Sequence, residues 1–376
     1  MTRTGAGAVV ALLVLAGCST AAVPPSTDPA EGTVQPLPCD APVEGVEPRG
    51  TGPPESVQEI LVGATRSMSG GAVVAIGADG AVRYCAAGSA DPEGSPLVPD
   101  HVFRIASITK TFTAVLVLQL VEEGLLELDD PVTDVLPDLD LADDITVRQL
   151  LDHSSGLPDF LDSSFDLAVR EDWDRSWTSA EILERVALEE REFEPPGTDR
   201  RYSNSNYLVA GLIVEELTGR PFAEVLRTRI TDPLGMTHTA LGPDGPEPVT
   251  GFSPIMPEGS TDTVSYRALE TSTGAAGGMV STAEDLMTFA EALTEGRLVS
   301  PESWSEMTDV TEVDDGIAVG LGLMEDEAGR LFHEGDLPGY RSLLILPSAA
   351  EDGVVVLAND SYINVFLLSE RLMPTP

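Results

Sequence analysis

The sequence has almost no lysine. Lys110 is the only one in 376 residues, while arginine supplies the other twenty basic side chains. Ordinary surface cations are therefore arginines here, and a single retained lysine points to a task a guanidinium cannot perform. An ammonium loses its proton readily when desolvated, whereas a guanidinium does not. Positive charge is scarce altogether. With 21 basic against 63 acidic side chains the formal charge is −42. Such a surface repels phosphate backbones and anionic lipid, which excludes nucleic acid and membrane surfaces as electrostatic partners. No single acidic block dominates, so the charge reads as a solvated surface set by salt adaptation or codon bias. The four histidines (His101, His153, His238 and His333) lack close carboxylate or cysteine spacing, so no metal site is expected.

Long apolar runs are also few. Arg3 precedes the run Ala8–Ala16, which is too short to span a bilayer as a mature helix and has the layout of an export signal. It closes on Leu15-Ala16-Gly17-Cys18, which resembles the bacterial lipobox. That resemblance implies cleavage after residue 17, acylation of Cys18 and anchoring by lipid alone, each buried methylene contributing about 0.8 kcal/mol. An ordinary secretory signal with an incidental cysteine is the alternative. Either way the destination is oxidising, and Cys39 and Cys85 remain as an even pair. They form a disulfide or persist as two buried thiols. A disulfide closing that loop would contribute on the order of 4 kcal/mol in the chain-entropy model.

Residues 18–54 are rich in Pro, Thr, Ser, Gly and Glu and read as a flexible tether. The folded part is expected over 55–376. A helical stripe (Val57, Ile60, Leu61, Ala64) precedes a hairpin formed by residues 72–76 and 81–84. Helical patterns then prevail, with an insertion at about 125–275. They include a nearly all-apolar helix from Thr109 to Glu123, another from Val209 to Leu217 stopped by Gly219, and one capped by Thr282. Strands return at Ile317–Leu323, Leu331–Gly335, Leu343–Pro347 and Val354–Ala358, followed by a helix at about Asn364–Leu372. Strands at both ends with helices between imply an α+β fold, in which one sheet is closed by the N- and C-terminal segments.

Three short motifs carry chemistry. In Ser107-Ile108-Thr109-Lys110 a helix puts positions i and i+3 on one face, so hydroxyl and amine come within hydrogen-bond reach. At a helix N-terminus, free backbone N–H groups and the dipole stabilise negative charge developing beside Ser107. In Tyr202-Ser203-Asn204 a phenol can relay the serine proton and an amide can hold the lysine. In His333-Glu334-Gly335 a glycine would let substrate backbone lie along a strand edge, and the N–H of Asp336 would complete an oxyanion hole with that of Ser107.

Together with Leu118–Gly124, Ile145–Gln149, His153–Leu157, Tyr202–Tyr207 and Pro233–Met236, these motifs resemble the serine beta-lactamase-like superfamily over about residues 56–372, specifically its class C beta-lactamase and D-alanyl-D-alanine carboxypeptidase branch. The resemblance implies an antiparallel sheet flanked by helices, an all-helical subdomain, and an active site between them. It implies Ser107 as acylated nucleophile, Lys110 and Tyr202 sharing general-base work, and Asn204 positioning lysine and substrate. His333 takes the electrostatic role of the third motif. Which of Lys110 and Tyr202 takes the proton is left open. The implied chemistry is acyl transfer through an acyl-enzyme without metal or cofactor. His153 reads as a structural residue holding its Ser-Ser-Gly turn.

The sequence departs from the family around the substrate. Where carboxypeptidases of this branch bind a terminal carboxylate with hydroxyls and an arginine, this chain has Glu334, Asp336 and Met324. Carboxylates about 4 Å from a third would repel it by roughly 4 kcal/mol each at an effective dielectric of 20, unless Glu334 points away or pairs with Arg341. The expected function is therefore an exported serine hydrolase, carboxypeptidase-like by family. The alternatives are an esterase or amidase acting on a neutral or cationic substrate, or a non-catalytic lipoprotein binding cell-wall peptide or penicillin. A monomer on the outer face of the cell membrane, with a small-molecule or peptide substrate, completes the expectation.

Overall fold

The computed structural model describes residues 39–40 and 56–373, except 79–80, 140–143, 162, 257–258, 260–265, 315–316 and 349–351. The expected signal, Cys18 and the tether other than Cys39 and Asp40 lie outside the described residues.

Helix α1 (Val57–Thr65) starts at Ser56, whose hydroxyl accepts from Glu59 N–H while the Glu59 carboxylate accepts from Ser56 N–H. This reciprocal pair satisfies two of the orphan donors at the helix start. The hairpin follows as β1 (Gly71–Ala78) and β2 (Ala81–Gly88), in register from Gly71↔Gly88 to Ala78↔Ala81. β1 has no polar alternation because both faces of the sheet are covered. Val73 and Ala75 enter the core shared with the central helix, while Ala72, Val74 and Ile76 enter a second core with α1 and the last helix.

The chain leaves the sheet through a two-residue strand, β3 (Phe103–Arg104), and enters helix α2 (Thr109–Glu122), buried from Thr109 through Leu118. Four helices follow: α3 (Val132–Val135), α4 (Val147–Leu151), α5 (Ser163–Glu171) and α6 (Ser179–Val186). Then come α7 (Asn204–Thr218), α8 (Phe222–Leu226) and α9 (Asp232–Leu234). α7 stops at Gly219, whose φ of 64° is the left-handed cap conformation glycine favours. β4 (Ala240–Leu241), α10 (Arg267–Gly277) and β5 (Met279–Ser281) close this region, β5 pairing with β3 and β4 in a small three-stranded sheet. Among the described residues, the span 125–275 holds α3 to α9 and most of α10, with β4 and irregular stretches at 188–203 and 242–256.

Helices α11 (Ala283–Thr294) and α12 (Pro301–Met307) lead back to strands β6 (Thr311–Asp314), β7 (Ile317–Val319), β8 (Met324–Glu325), β9 (Leu331–Leu337), β10 (Tyr340–Ile345) and β11 (Val354–Ala358). Helix α13 (Val365–Leu372) ends the described chain. The eight-stranded order is β2-β1-β11-β10-β9-β8-β7-β6, antiparallel throughout, with β1 and β11 joined from Ala72↔Ala358 to Ile76↔Val354. First and last strands therefore meet inside the sheet, as the sequence implied.

The strand expected over Ile317–Leu323 is shorter, for a steric reason. A Cβ on Gly320 would lie 2.4 Å from Met307 O, and one on Gly322 2.6 Å from the Ala114 Cβ. The two glycines let the chain turn onto α2. Cys39 is disulfide-bonded to Cys85 on β2, with a Cα separation of 5.8 Å. The segment read as a free tether is therefore fixed to the folded body at Cys39.

Candidate active site

Ser107 sits in a 3-10 turn, Ala106–Ile108, between β3 and α2. Its neighbour Ala106 has φ 47°, a region non-glycine residues occupy only where their surroundings impose it. Two elements impose it here. Ile105 N–H donates to Met279 O on β5 at 3.0 Å, and Ser342 Oγ on β10 donates to Ile105 O at 2.8 Å. Gly335 on β9 makes the approach possible, because a Cβ there would lie 2.3 Å from Ile105 O and 2.9 Å from the Ala106 Cβ. The glycine expected to receive substrate backbone makes room for the serine turn.

Lys110 is fully buried one turn into the helix. Its Nζ is 3.0 Å from Ser107 Oγ, 2.7 Å from Asn204 Oδ1 and 2.7 Å from Ala276 O. Burial lowers its pKa to about 7, against the opposing charge of Asp159. The geometry suits the neutral amine. Two acceptor-only oxygens take both of its N–H groups, and the lone pair is left facing the serine hydroxyl.

That arrangement depends on which way the Asn204 amide points. Its Nδ2 donates to both carboxylate oxygens of Asp159, at 3.2 and 3.0 Å, so Oδ1 must face the lysine. Asp159 was not among the expected site residues. Its only sequence signal is its place directly after the family-like run His153–Leu157 and Pro158.

Tyr202 brings its hydroxyl to 2.8 Å from Ser107 Oγ, though the residue is 41% exposed. Burial around the hydroxyl raises its pKa, the bond to Ser107 opposing, so at neutral pH it is a phenol. His153 stacks on its ring with centroids 4.5 Å apart. His153 Nδ1 accepts from Ser203 N–H at 3.2 Å, and Arg201 N–H donates to the His153 carbonyl at 3.0 Å. Burial holds this imidazole well below its usual pKa, so it serves as a neutral acceptor. The histidine at φ 60° ties its own turn to the Tyr202 motif.

Strand β9 forms the opposite wall. His333 is 2% exposed, and its Nδ1 lies 2.7 Å from Glu334 O. A carbonyl only accepts, so Nδ1 carries the proton and Nε2 the lone pair. Burial, with Lys110 adding to it, pushes the pKa to about 3. His333 is uncharged at neutral pH, so an electrostatic role for it would rest on the neutral imidazole and not on a positive charge. Glu334 and Asp336 both have raised pKa values, chiefly from burial. Arg341, directly across the β9–β10 pairing, forms its ion pair with Asp336. Among the described residues Glu334 has no ion-pair partner, and it neither points away nor pairs with Arg341.

Between the walls lies a cavity of about 300 Å³, lined by Ser107, Tyr202, Asn204 and His333 on the reactive side, and by Met324, Glu334, Asp336, Arg341, Leu337 and Leu161 around it. Lys110 and Gly335 sit behind this lining, so all nine residues expected for catalysis and substrate binding converge here. His101 and His238 take no part.

A clamped helix-start serine with a buried lysine and a phenol at its oxygen, set between a sheet and a helical region, defines the class: a serine hydrolase of beta-lactamase-like fold. This chain belongs to the Beta-lactamase family, whose model matches residues 63–371. Among solved structures it resembles the D-amino acid amidase of Ochrobactrum anthropi SV3 complexed with L-phenylalanine amide. The two are 31% identical with a TM-score of 0.74, over 84% of this chain and 95% of that one. It is 34% identical over 270 residues to Esterase EstB of Burkholderia gladioli, covering 63% of this chain and 68% of that protein. Penicillin-binding protein 4 of Amycolatopsis lactamdurans is 34% identical over 180 residues, 46% of this chain and 45% of that protein. The chain spans roughly half to two thirds of the length of the curated relatives it matches.

Proposed function

We propose that this chain hydrolyses an amide or ester whose acyl part carries an ammonium group, through an acyl-enzyme on Ser107. The neutral Lys110 amine takes the Ser107 proton as Oγ attacks the substrate carbonyl carbon. The carbonyl π electrons move to oxygen, where the backbone N–H groups of Ser107 and Asp336 receive the negative charge. The Tyr202 hydroxyl, on the cavity side of Oγ, passes a proton to the departing amine or alcohol as the C–N or C–O bond breaks. The Lys110 ammonium then reprotonates the Tyr202 oxygen and becomes neutral again. Water attacks the acyl-enzyme as this amine takes its proton, and Ser107 Oγ is reprotonated as the acyl C–O bond breaks, releasing acid and free serine.

One observation carries the substrate class: the cavity offers an unpaired carboxylate and no spare cation. Lys110 is held by three partners, His333 is neutral and Arg341 is engaged by Asp336. A substrate ending in a carboxylate, as a D-alanyl-D-alanine peptide does, meets Glu334 in a cavity whose lining arginine, Arg341, is already paired with Asp336. A substrate ammonium meets a partner. The amidase and esterase relatives are in keeping with this reading, which favours amidase or esterase over carboxypeptidase or mere penicillin capture. His-x-Gly at the third motif supports placement in the class C and carboxypeptidase branch of the family.

The test compares D- and L-phenylalanine amide with their N-acetyl counterparts, a neutral p-nitrophenyl ester, and benzylpenicillin followed by intact mass. Hydrolysis of the free amine forms at least tenfold faster than the acetylated ones is expected, about the worth of one charge-assisted contact. Equal rates would sink the ammonium reading. A stable penicillin adduct would restore the carboxypeptidase-like one.

We further propose that the protein is exported, lipid-anchored at Cys18, and works as a monomer. Signal-like residues 1–17 and the Cys39–Cys85 disulfide support export. Among the described residues no helix is long and apolar enough to cross a membrane. Radiolabelled palmitate incorporation that disappears in Cys18→Ala is the expected result, and unchanged labelling would refute the anchor.

A further inference from the structure

Resting on the acyl-enzyme reading above, we infer that Asp159 is a positioning residue, turning the Asn204 amide so that the Lys110 lone pair falls on Ser107. Two segments of the chain grip the carboxylate. Asn204 Nδ2 donates to both its oxygens, and Asn204 N–H donates to Oδ1 at 3.2 Å. Leu161 N–H donates to the same oxygen at 3.1 Å. Asp159 also replaces a missing cap: the residue before α7, Ser203, makes no side-chain bond to the helix start.

If the amide turned over, its NH2 would face Lys110 Nζ at the present 2.7 Å. Donor would meet donor, and a neutral lysine could relieve the clash only by turning its lone pair from Ser107 to Asn204. The carboxylate prevents this, because a flipped amide would set its oxygen against Asp159. Asp159 thus acts on the serine at two removes without touching substrate.

Charge gives the inference a distinguishing measurement. The titratable groups facing Lys110 are Asp159, His153, His333, Tyr202 and Tyr207. Burial keeps both histidines neutral and both tyrosines protonated near pH 7. Asp159 is then the one negative charge in this group, and it favours the ammonium. Glu270 on the neighbouring α10 is bonded to Arg104 instead. Removing the Asp159 charge must make Lys110 easier to deprotonate.

The experiment follows kcat/KM against pH with a neutral p-nitrophenyl ester, so that no substrate amine titrates. Asp159→Asn is expected to move the acidic limb to lower pH and to reduce the plateau about tenfold. Asp159→Ala, which frees the amide, should lose about 100-fold, as small misplacements of reacting groups do. Asp159→Glu should return the limb towards its original position. In Asp159→Ala combined with Asn204→Ala, the loss should be little more than that of Asn204→Ala alone. An unmoved limb in Asp159→Asn, with losses that multiply in the double variant, overturns the inference and leaves Asp159 as a helix cap. Should Asp159→Ala not fold, the isosteric Asp159→Asn still decides by its pH limb. Ser107→Ala separates the two levels: activity retained there would overturn the acyl-enzyme reading itself.

Discussion

The two walls of the cavity are built on different terms. On the helical wall each polar group has a partner of the right kind. Lys110 has its acceptors, Asn204 has Asp159, and Tyr202 has Ser107 below and His153 against its ring. On the β9 wall Asp336 holds Arg341, Glu334 makes no ion pair among the described residues, and a histidine stands uncharged. A network that must run chemistry tolerates no orphan, since an unmatched buried group costs its full desolvation. A wall that must choose a substrate keeps one group waiting for a partner from outside. The comparison thus separates how the bond is broken from which molecule is admitted.

Perturbing each wall tests that division. Ser107→Ala should cost most, about 10⁴-fold or more in kcat with every substrate, seen equally with amide and ester. Lys110→Met should lose about 10³-fold or more. It should also change stability in a pH-dependent way. The lysine falls from 10.5 to about 7 on folding, so the folded state binds fewer protons between those values. Stability attributable to it rises with pH across that window, and below 7 the full cost is present. The melting temperature of Lys110→Met relative to the wild type should therefore be highest near pH 6 and fall towards pH 10. The two acceptors it orphans shift this difference by a constant, leaving its slope. Calorimetry at three pH values reads it.

On the other wall the effects should be smaller and selective. Glu334→Gln should raise KM for amine-bearing substrates about tenfold while leaving kcat and the neutral ester unchanged. A comparable loss on the ester would place Glu334 in the chemistry and erase the distinction between walls. Arg341→Ala should act least. Releasing Asp336 adds a second free carboxylate, and KM for ammonium substrates should fall two- to threefold, the scale of a half-exposed pair. Stopped assays at two ionic strengths would check that this gain fades with salt.

The helical wall was far more legible than the strand wall. Ser107 and Lys110 are three residues apart, and Tyr202 and Asn204 lie together at a helix start, so local geometry alone joins each pair. Asp159 was missed because its partner, Asn204, is 45 positions away and no spacing rule connects a loop to a helix N-terminus. On β9 the residue types were readable but their states were not. The third motif implies an electrostatic role for His333, but its uncharged state is set by burial, a tertiary property. Arg341 pairs with Asp336 because β9 and β10 align those two residues, a register no composition reveals. Gly335 was assigned to the substrate, and only the packed turn at Ile105 shows what its missing side chain admits.

The buried, solitary Lys110 has a consequence outside catalysis. A lysine-specific protease has a single cleavage point in this chain, the Lys110–Thr111 bond. Both residues are fully buried in α2, so cutting requires the central helix to open. Cys39 and Cys85 both lie on the N-terminal side, and the two fragments part without reduction. One band becoming two is then a count of molecules whose reactive centre has come apart. The residue that arms the serine also timestamps its loss.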